Sequence, residues 1–297
     1  MQDKIIKVGF CAAYDWELLK ESVPRIYHEA DSICLSLDKD RLSWSGKPFP
    51  FDSAEFFSWI KNIDTDNKIQ VYEDKFYIES LTALENDNRQ RKLMSDFMGK
   101  GGWHLQIDAD EYFFDFVGFK KYLLNIHVNP DGSEKPVNIF VNAVPLIKRT
   151  KKGFLYVNNK QNTYEEMPCA TNKPEFLGAR KNSHFNHLSP FFILHETWAR
   201  GEEELLRKIN SWGHVNDFVS KESYYNLWKA FDEFNYMYVK DFNYYQPETW
   251  SSLGYLPHQN IADAIDWMKK NGNLKLTASY LLKRNSRVYM GLKQRFK

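Results

Sequence analysis

The chain has 297 residues, of which 43% are hydrophobic and 27% charged, the proportions of a globular protein, which exclude wholesale disorder and collagen-like structure. Forty Lys and Arg against 39 Asp and Glu leave a formal charge of +1, which excludes a chain-wide electrostatic grip on nucleic acid. Three widely spaced cysteines (Cys11, Cys34, Cys169) form no CxxC pair, which excludes a disulfide framework and a cysteine-rich zinc site and suits a reducing compartment.

The first residues show no basic start, apolar stretch and small-residue cleavage site, and no apolar run approaches the ~20 residues that span a bilayer. The expectation is a soluble, cytoplasmic protein. Aromatic residues reach 16%. Rings stack on sugars and bases, but their commoner use is to fill cores.

Taken in order, residues 4–13 (KIIKVGFCAA) predict a buried strand, followed by a helix at 15–29 with Asp15 as N-cap and an interruption at Pro24. A second strand at 31–37 leads to a polar loop at 38–52, and Ser53 caps a short helix. A third strand is expected at 68–77 and a long polar helix at 79–99, stopped by Gly101 and Gly102. The strand WHLQI (103–107) runs directly into Asp108-Ala109-Asp110-Glu111. Strands alternating with helices predict an α/β domain with a largely parallel sheet. Beyond it come a helix at 115–127, an NPDG turn at 129–132 and a strand at 137–147. A loop-rich stretch at 148–190 carries short strands in FLYVNN and EFLGAR, then a strand at 191–196 precedes a charged helix at 201–219. Residues 220–297 read as helical. The division expected is a catalytic domain at 1–219 with a helical carboxyl-terminal extension at 220–297.

The acidic run after the fourth strand is the sharpest chemical feature. Ligands of open α/β sheets bind outside the carboxyl ends of the strands. Two carboxylates at i and i+2 of an extended segment share a face and can hold one hard divalent cation, Mg²⁺ or Mn²⁺. Such an ion stabilises a diphosphate leaving group. The plain alternative is an acidic loop that ends the strand and caps the helix near Asp115.

The order of these motifs resembles glycosyltransferases of the GT-A fold, above all family 2-like enzymes whose DxD signature is extended to DxDE. The likeness rests on CAAYDW after the first strand, an Asp after the second, a helix with Asn86, Arg89 and Arg91, then WHLQIDADEYF and FFILHETWARGEEELLRKINSWGH at 191–214. It covers about two-thirds of the chain. The resemblance implies Asp110 as main metal ligand, Asp108 on metal or ribose, and His195 completing the shell, which favours manganese. It implies Tyr14, Asp15 and Asp38 at the nucleotide base, although family 2 has a denser acidic turn where this chain has LSLDKDRLSWSGKPF. One of Arg89 and Arg91, which face different sides of their helix, is implied at the diphosphate. Lys208 has the same implied role, against an (i, i+4) pair with Glu204, and His214 either joins the site or complements a helix end.

An inverting transfer needs a carboxylate base. Glu111, Glu165, Glu166, Glu175 and Glu196 are candidates, with Glu111 nearest the metal motif and Glu196 beside His195. His184-x-x-His187 lacks the context of a zinc site. Trp198, Trp212, Trp228 and Trp250 are available for sugar stacking or for the core. The last 24 residues hold seven Lys and Arg and no acid, a pattern of a helix packed on the domain or lying on an anionic membrane, the inner face in a cytoplasmic protein. The implied partners are a nucleotide-diphosphate sugar donor and a glycan or lipid-linked glycan acceptor, with surface polysaccharide synthesis as the setting. Two rivals stand beside this reading. A nucleotidyltransferase needs a Gly-rich phosphate loop after the first strand, which is missing. A non-catalytic carbohydrate-binding protein would not hydrolyse a sugar nucleotide.

Overall fold

Strand β1 (Ile6–Ala12), buried along its whole length, is the centre of a parallel array. The computed structural model describes residues 5–126, 136–178, 180–211, 218–272 and 274–286. After β1 the chain forms a 3-10 turn at Trp16–Leu18, then α1 (Leu19–Ser22) and α2 (Pro24–Tyr27). Pro24 splits the expected helix because it can start a helix but not continue one. Next come β2 (Ser32–Asp38), α3 (Ser53–Ile63), β3 (Ile69–Asp74), α4 (Ala83–Phe97), β4 (Trp103–Asp108), β5 (Glu111–Phe113) and α5 (Phe116–Asn125). The remainder supplies β6 (Val137–Arg149), β7 (Phe154–Val157), β8 (Glu165–Thr171), β9 (Phe185–His195), α6 (Glu202–Ser211), α7 (Lys221–Ala230), β10 (Leu253–Leu256), α8 (Ile261–Asn271) and α9 (Ala278–Asn285).

These elements form two compact units. The first comprises Met1–Asn138, Pro168–Phe185 and Lys208–Val215; the second holds Ile139–Met167, Asn186–Arg207 and Asn216–Lys297. In the first unit β3, β2, β1 and β4 lie side by side and parallel, and β8 joins β4 antiparallel through His104 and Leu105. The protein is therefore α/β with a mixed sheet flanked by helices, as the alternating pattern predicts.

Helix α4 packs on β1 and β2. A Cβ on Gly9 of β1 would stand 2.8 Å from the Met94 sulfur, so the bare backbone makes room for that helix. Thr82 and Glu85 close a capping box at its start, and Lys7 Nζ donates to the carbonyls of Met98, Gly99 and Lys100 at its end, each at 2.9 Å. Helix α3 is capped by Asp52, whose carboxylate accepts the Glu55 N–H, rather than by Ser53. Helix α5 is capped by Asp115, whose carboxylate accepts the Gly118 N–H, and not by the acidic run at 108–111.

In the second unit β6 and β7 pair antiparallel, β10 adds to β7, and β9 pairs with β6. The stretch after residue 220 is therefore not wholly helical. Strand β10 has only four residues and includes Gly254, whose missing side chain admits the Tyr156 ring of β7. Among the described residues, no helix is long and apolar enough to cross a membrane.

Candidate functional site

The parallel strands place their carboxyl ends together. Ala12 ends β1, Asp38 ends β2 and Asp108 ends β4, with Cys11 and Asp108 directly paired across the sheet. A cleft opens there, lined among others by Tyr14, Asp15, Trp44, Phe49, Asp110 and Lys208.

Asp108 is the hinge of a charge network. Arg91 of α4 donates to Asp108 Oδ1 at 2.8 Å and to Asp87, one turn back on the same helix, at 2.6 Å. Arg180 stands 3.6 Å from Asp108 Oδ2 and spreads its guanidinium over both oxygens of Glu111, at 2.7 and 2.8 Å. Burial pushes the Asp108 pKa up, but Arg91 and Arg180 outweigh it and bring it down to about 2. Both guanidiniums are held in the charged form by these carboxylates in spite of burial. The helix end of the network is fixed by Gln106 of β4, whose amide donates to the Arg91 carbonyl and to Ser95 Oγ.

Asp110, two residues on, takes a different cation. Lys208 Nζ lies 3.0 Å from Asp110 Oδ2, with both side chains 7% exposed. Glu204, the (i, i+4) candidate partner, instead accepts the Gly201 N–H.

The loop after β2 forms the opposite wall. Asp38 Oδ1 accepts the N–H groups of Asp40 and Leu42, and Oδ2 those of Phe76 and Tyr77, all within 3.1 Å. This carboxylate organises two loops and also lines the cleft. The loop it shapes carries Trp44, whose indole N–H donates to Gln90 Oε1 at 2.7 Å and whose carbonyl accepts the Asn86 amide. The Arg91 guanidinium lies 5.7 Å from the Trp44 ring centroid. Tyr14 meets Phe49 edge to face at 6.5 Å. Asp15 lines the cleft and makes no capping hydrogen bond with its side chain, so the cap assigned to it is not formed. Cys11 also lines the cleft, but burial pushes its thiol up to about 12, which leaves it a poor nucleophile.

The first unit thus brings together Tyr14, Asp15, Asp38, Asp108, Asp110 and Lys208 around one cleft. Arg89 is not among its lining residues; it reaches the Lys75 carbonyl, and Arg91 is the arginine that meets the acidic run. Both oxygens of Glu111 accept from Arg180, so this carboxylate positions that arginine. In the second unit His195 ends β9, and Glu196, 3% exposed, accepts from Arg149 at 2.7 Å. Glu166 binds Arg284 and Tyr280 and so fastens α9 to its own unit, while Glu175 pairs with Lys173. Trp198, Trp228 and Trp250 are buried core residues. Trp212, His214, the 129–132 turn and the basic residues after 286 lie outside the described residues.

Arg180, Gln90 and Trp44 were absent from the sequence reading. Asn86 and Gln90, like Asp87 and Arg91, stand one turn apart on α4, and that spacing is a usable signal. Arg180 lies in EFLGAR, read as a strand, where the described residues show an isolated bridge between Gly178 and Lys181.

Among the described residues, no three His, Cys, Asp or Glu side chains gather into a complete metal cage. The lining of the cleft carries more negative than positive side chains. Four carboxylates line the cleft against one lysine, and the two arginines behind Asp108 are matched by Asp87 and Glu111. No family model matches the chain, and no curated protein matches it.

Proposed function

We propose that the protein is a GT-A-type glycosyltransferase, resembling the family 2-like enzymes with a DxDE signature. It would move a sugar from a nucleotide-diphosphate donor to a hydroxyl of a glycan acceptor. The observation that carries this reading is the pair Asp108 and Asp110 at the carboxyl end of a parallel strand, facing a cleft whose other walls come from the ends of β1 and β2.

In this account the base and ribose lie along Tyr14, Trp44 and Phe49, and the diphosphate points toward Asp108, Asp110 and Lys208. Asp110, with Asp108 beside it, would hold Mn²⁺ or Mg²⁺, which would supply positive charge to the leaving diphosphate. Arg91 and Arg180 keep Asp108 ionised and fixed in direction, so the acidic pair needs little rearrangement on binding. Lys208 supplies a second positive charge at the diphosphate. Transfer follows the inverting course: the acceptor oxygen bonds to the anomeric carbon as the bond to the β-phosphate oxygen breaks. The bonding pair leaves with the nucleoside diphosphate, and the hydroxyl proton passes to a carboxylate.

Hydrolysis supplies the test, because water can replace an unknown acceptor. A panel of nucleotide sugars with Mn²⁺ is expected to yield nucleoside diphosphate slowly from one donor, with loss in EDTA and in Asp110→Asn. Cleavage that releases pyrophosphate would instead point to nucleotidyl transfer, and no cleavage of any donor would favour a binding protein.

A further inference from the structure

We infer that an exposed aromatic face in the second unit, formed by Phe234, Met237 and Tyr238, holds the sugar rings of an uncharged glycan chain. This rests on the proposed function, which makes a glycan the acceptor, and adds a surface that grips the chain without donor or metal. The face belongs to residues 231–252, the connection from α7 to β10, which contains no strand and two single-turn 3-10 helices. Connections of this length are usually either functional or disordered. This one is fixed by its own contacts. Phe231, Phe242 and Trp250 are buried, with ring centroids 6.1 Å apart for the first pair and 5.5 Å for the second. Asp232 Oδ1 accepts the N–H groups of Phe234 and Asn235, and the Asn235 amide donates to the Ala230 carbonyl at the end of α7.

The Tyr236 N–H donates to the Asp232 carbonyl and the Tyr238 N–H to the Asn235 carbonyl, so the backbone turns as a short helix there. Residues at i, i+3 and i+4 of such a turn share one side. That spacing groups Phe234, Met237 and Tyr238, while Tyr236 leans on the Tyr255 ring of β10 at 6.1 Å. Phe234 is 79% exposed, Tyr238 80% and Met237 49%. Side chains so exposed add little to folding by burial, and their ring faces stay open to a ligand. Charge selects the occupant. Residues 231–252 hold Asp232, Glu233, Asp241 and Glu248 against Lys240 alone. This excess repels phosphate headgroups and nucleic acid. An uncharged sugar meets no such repulsion: its C–H face lies on an aromatic ring, and its hydroxyls donate to carboxylates such as Glu233 beside Phe234. None of the three residues of the face lines the donor cleft, so the two sites can be read separately.

The test is affinity electrophoresis of the full chain through gels containing dextran, glycogen, galactomannan or polygalacturonate, with donor cleavage measured on the same samples. Wild type is expected to be retarded by at least one uncharged polysaccharide, equally in Mn²⁺ and in EDTA, and not by polygalacturonate. Phe234→Ala combined with Tyr238→Ala should weaken that retention by about tenfold or more and leave donor cleavage unchanged. Both side chains face water, so this variant should keep the wild-type urea midpoint. Leu177→Ala, which removes an exposed apolar side chain of the first unit, should be retained like wild type. Retention by no polysaccharide, or retention unchanged in the double variant, would overturn the face and leave donor cleavage to decide the transferase reading. A wild-type dimer that the double variant dissociates, or binding to phosphatidylglycerol vesicles that the variant loses, would also overturn it by giving the rings another occupant. Ring-dependent retention in a protein that cleaves no donor would support the face and overturn the transferase.

Discussion

Arg91 reaches from the middle of α4 to the end of β4 and meets Asp108 at 2.8 Å, while its other edge holds Asp87 at 2.6 Å. One helix turn thus carries both the arginine and the acid that steadies it, and the strand's last carboxylate is fixed before any ligand arrives. Arg91→Met would keep the packing volume and leave Asp87, which is 4% exposed, without its counter-ion. Breaking one side of a buried pair costs about 3–5 kcal/mol. Urea unfolding should show that loss, and Asp87→Asn combined with Arg91→Met should recover part of it. A loss equal to the sum of the single variants would mean the two side chains do not interact.

Asp38 makes a different demand. Its two oxygens accept four backbone N–H groups from separate loops, an arrangement open to a carboxylate alone. Asp38→Asn would aim an amide donor at two of those donors and should cost about 2 kcal/mol or more. The loop at 40–49 should become faster to cut in limited proteolysis. Weakened nucleotide binding with no change in unfolding or proteolysis would return Asp38 to a direct role at the base.

A third expectation concerns pH. Burial, with Lys7 nearby, lowers the His104 pKa from 6.5 to about 4, and burial beside Arg284 does the same to His187. The unfolded chain therefore takes up protons that the folded chain refuses between those values. Stability from each neutral imidazole is complete above pH 6.5 and is lost as pH falls toward 4. For His104 this amounts to about 2 kcal/mol at pH 5. Urea midpoints should fall from pH 7 to pH 5, and His104→Gln should flatten that slope. An unchanged slope in the variant would show that His104 titrates normally.

Trp44 offers a ring to the cleft while Gln90 occupies its indole N–H. Base stacking on an aromatic side chain contributes about 1–3 kcal/mol. Trp44→Ala should weaken nucleoside diphosphate binding by about tenfold or more while leaving Mn²⁺ binding alone. Equal nucleotide affinity in the variant would place the base elsewhere.

Much of the first unit is legible along the chain because its signals are local. The apolar run ending in Asp108-Ala109-Asp110 marks a buried strand that stops at its chemistry, and the polar helix before it announces α4. What escaped depends on long-range encounters. Lys208 meets an acid 98 positions earlier, and Arg180 meets one 69 positions earlier from a segment with no regular structure. Glu111 looks like a free acid in the sequence, and only the fold supplies the arginine that occupies it. Strand β10 was hidden because four residues among helices carry no periodicity.

The most direct test of the account is a thermal-shift panel of nucleoside diphosphates and their sugars, with and without Mn²⁺, on wild type and Asp110→Asn. Ligands that bind only the folded chain raise its apparent stability by mass action. The account predicts a clear shift for one nucleotide, dependent on Mn²⁺ and abolished in Asp110→Asn. No Mn²⁺-dependent shift with any nucleotide, or an equal shift in the variant, would contradict it.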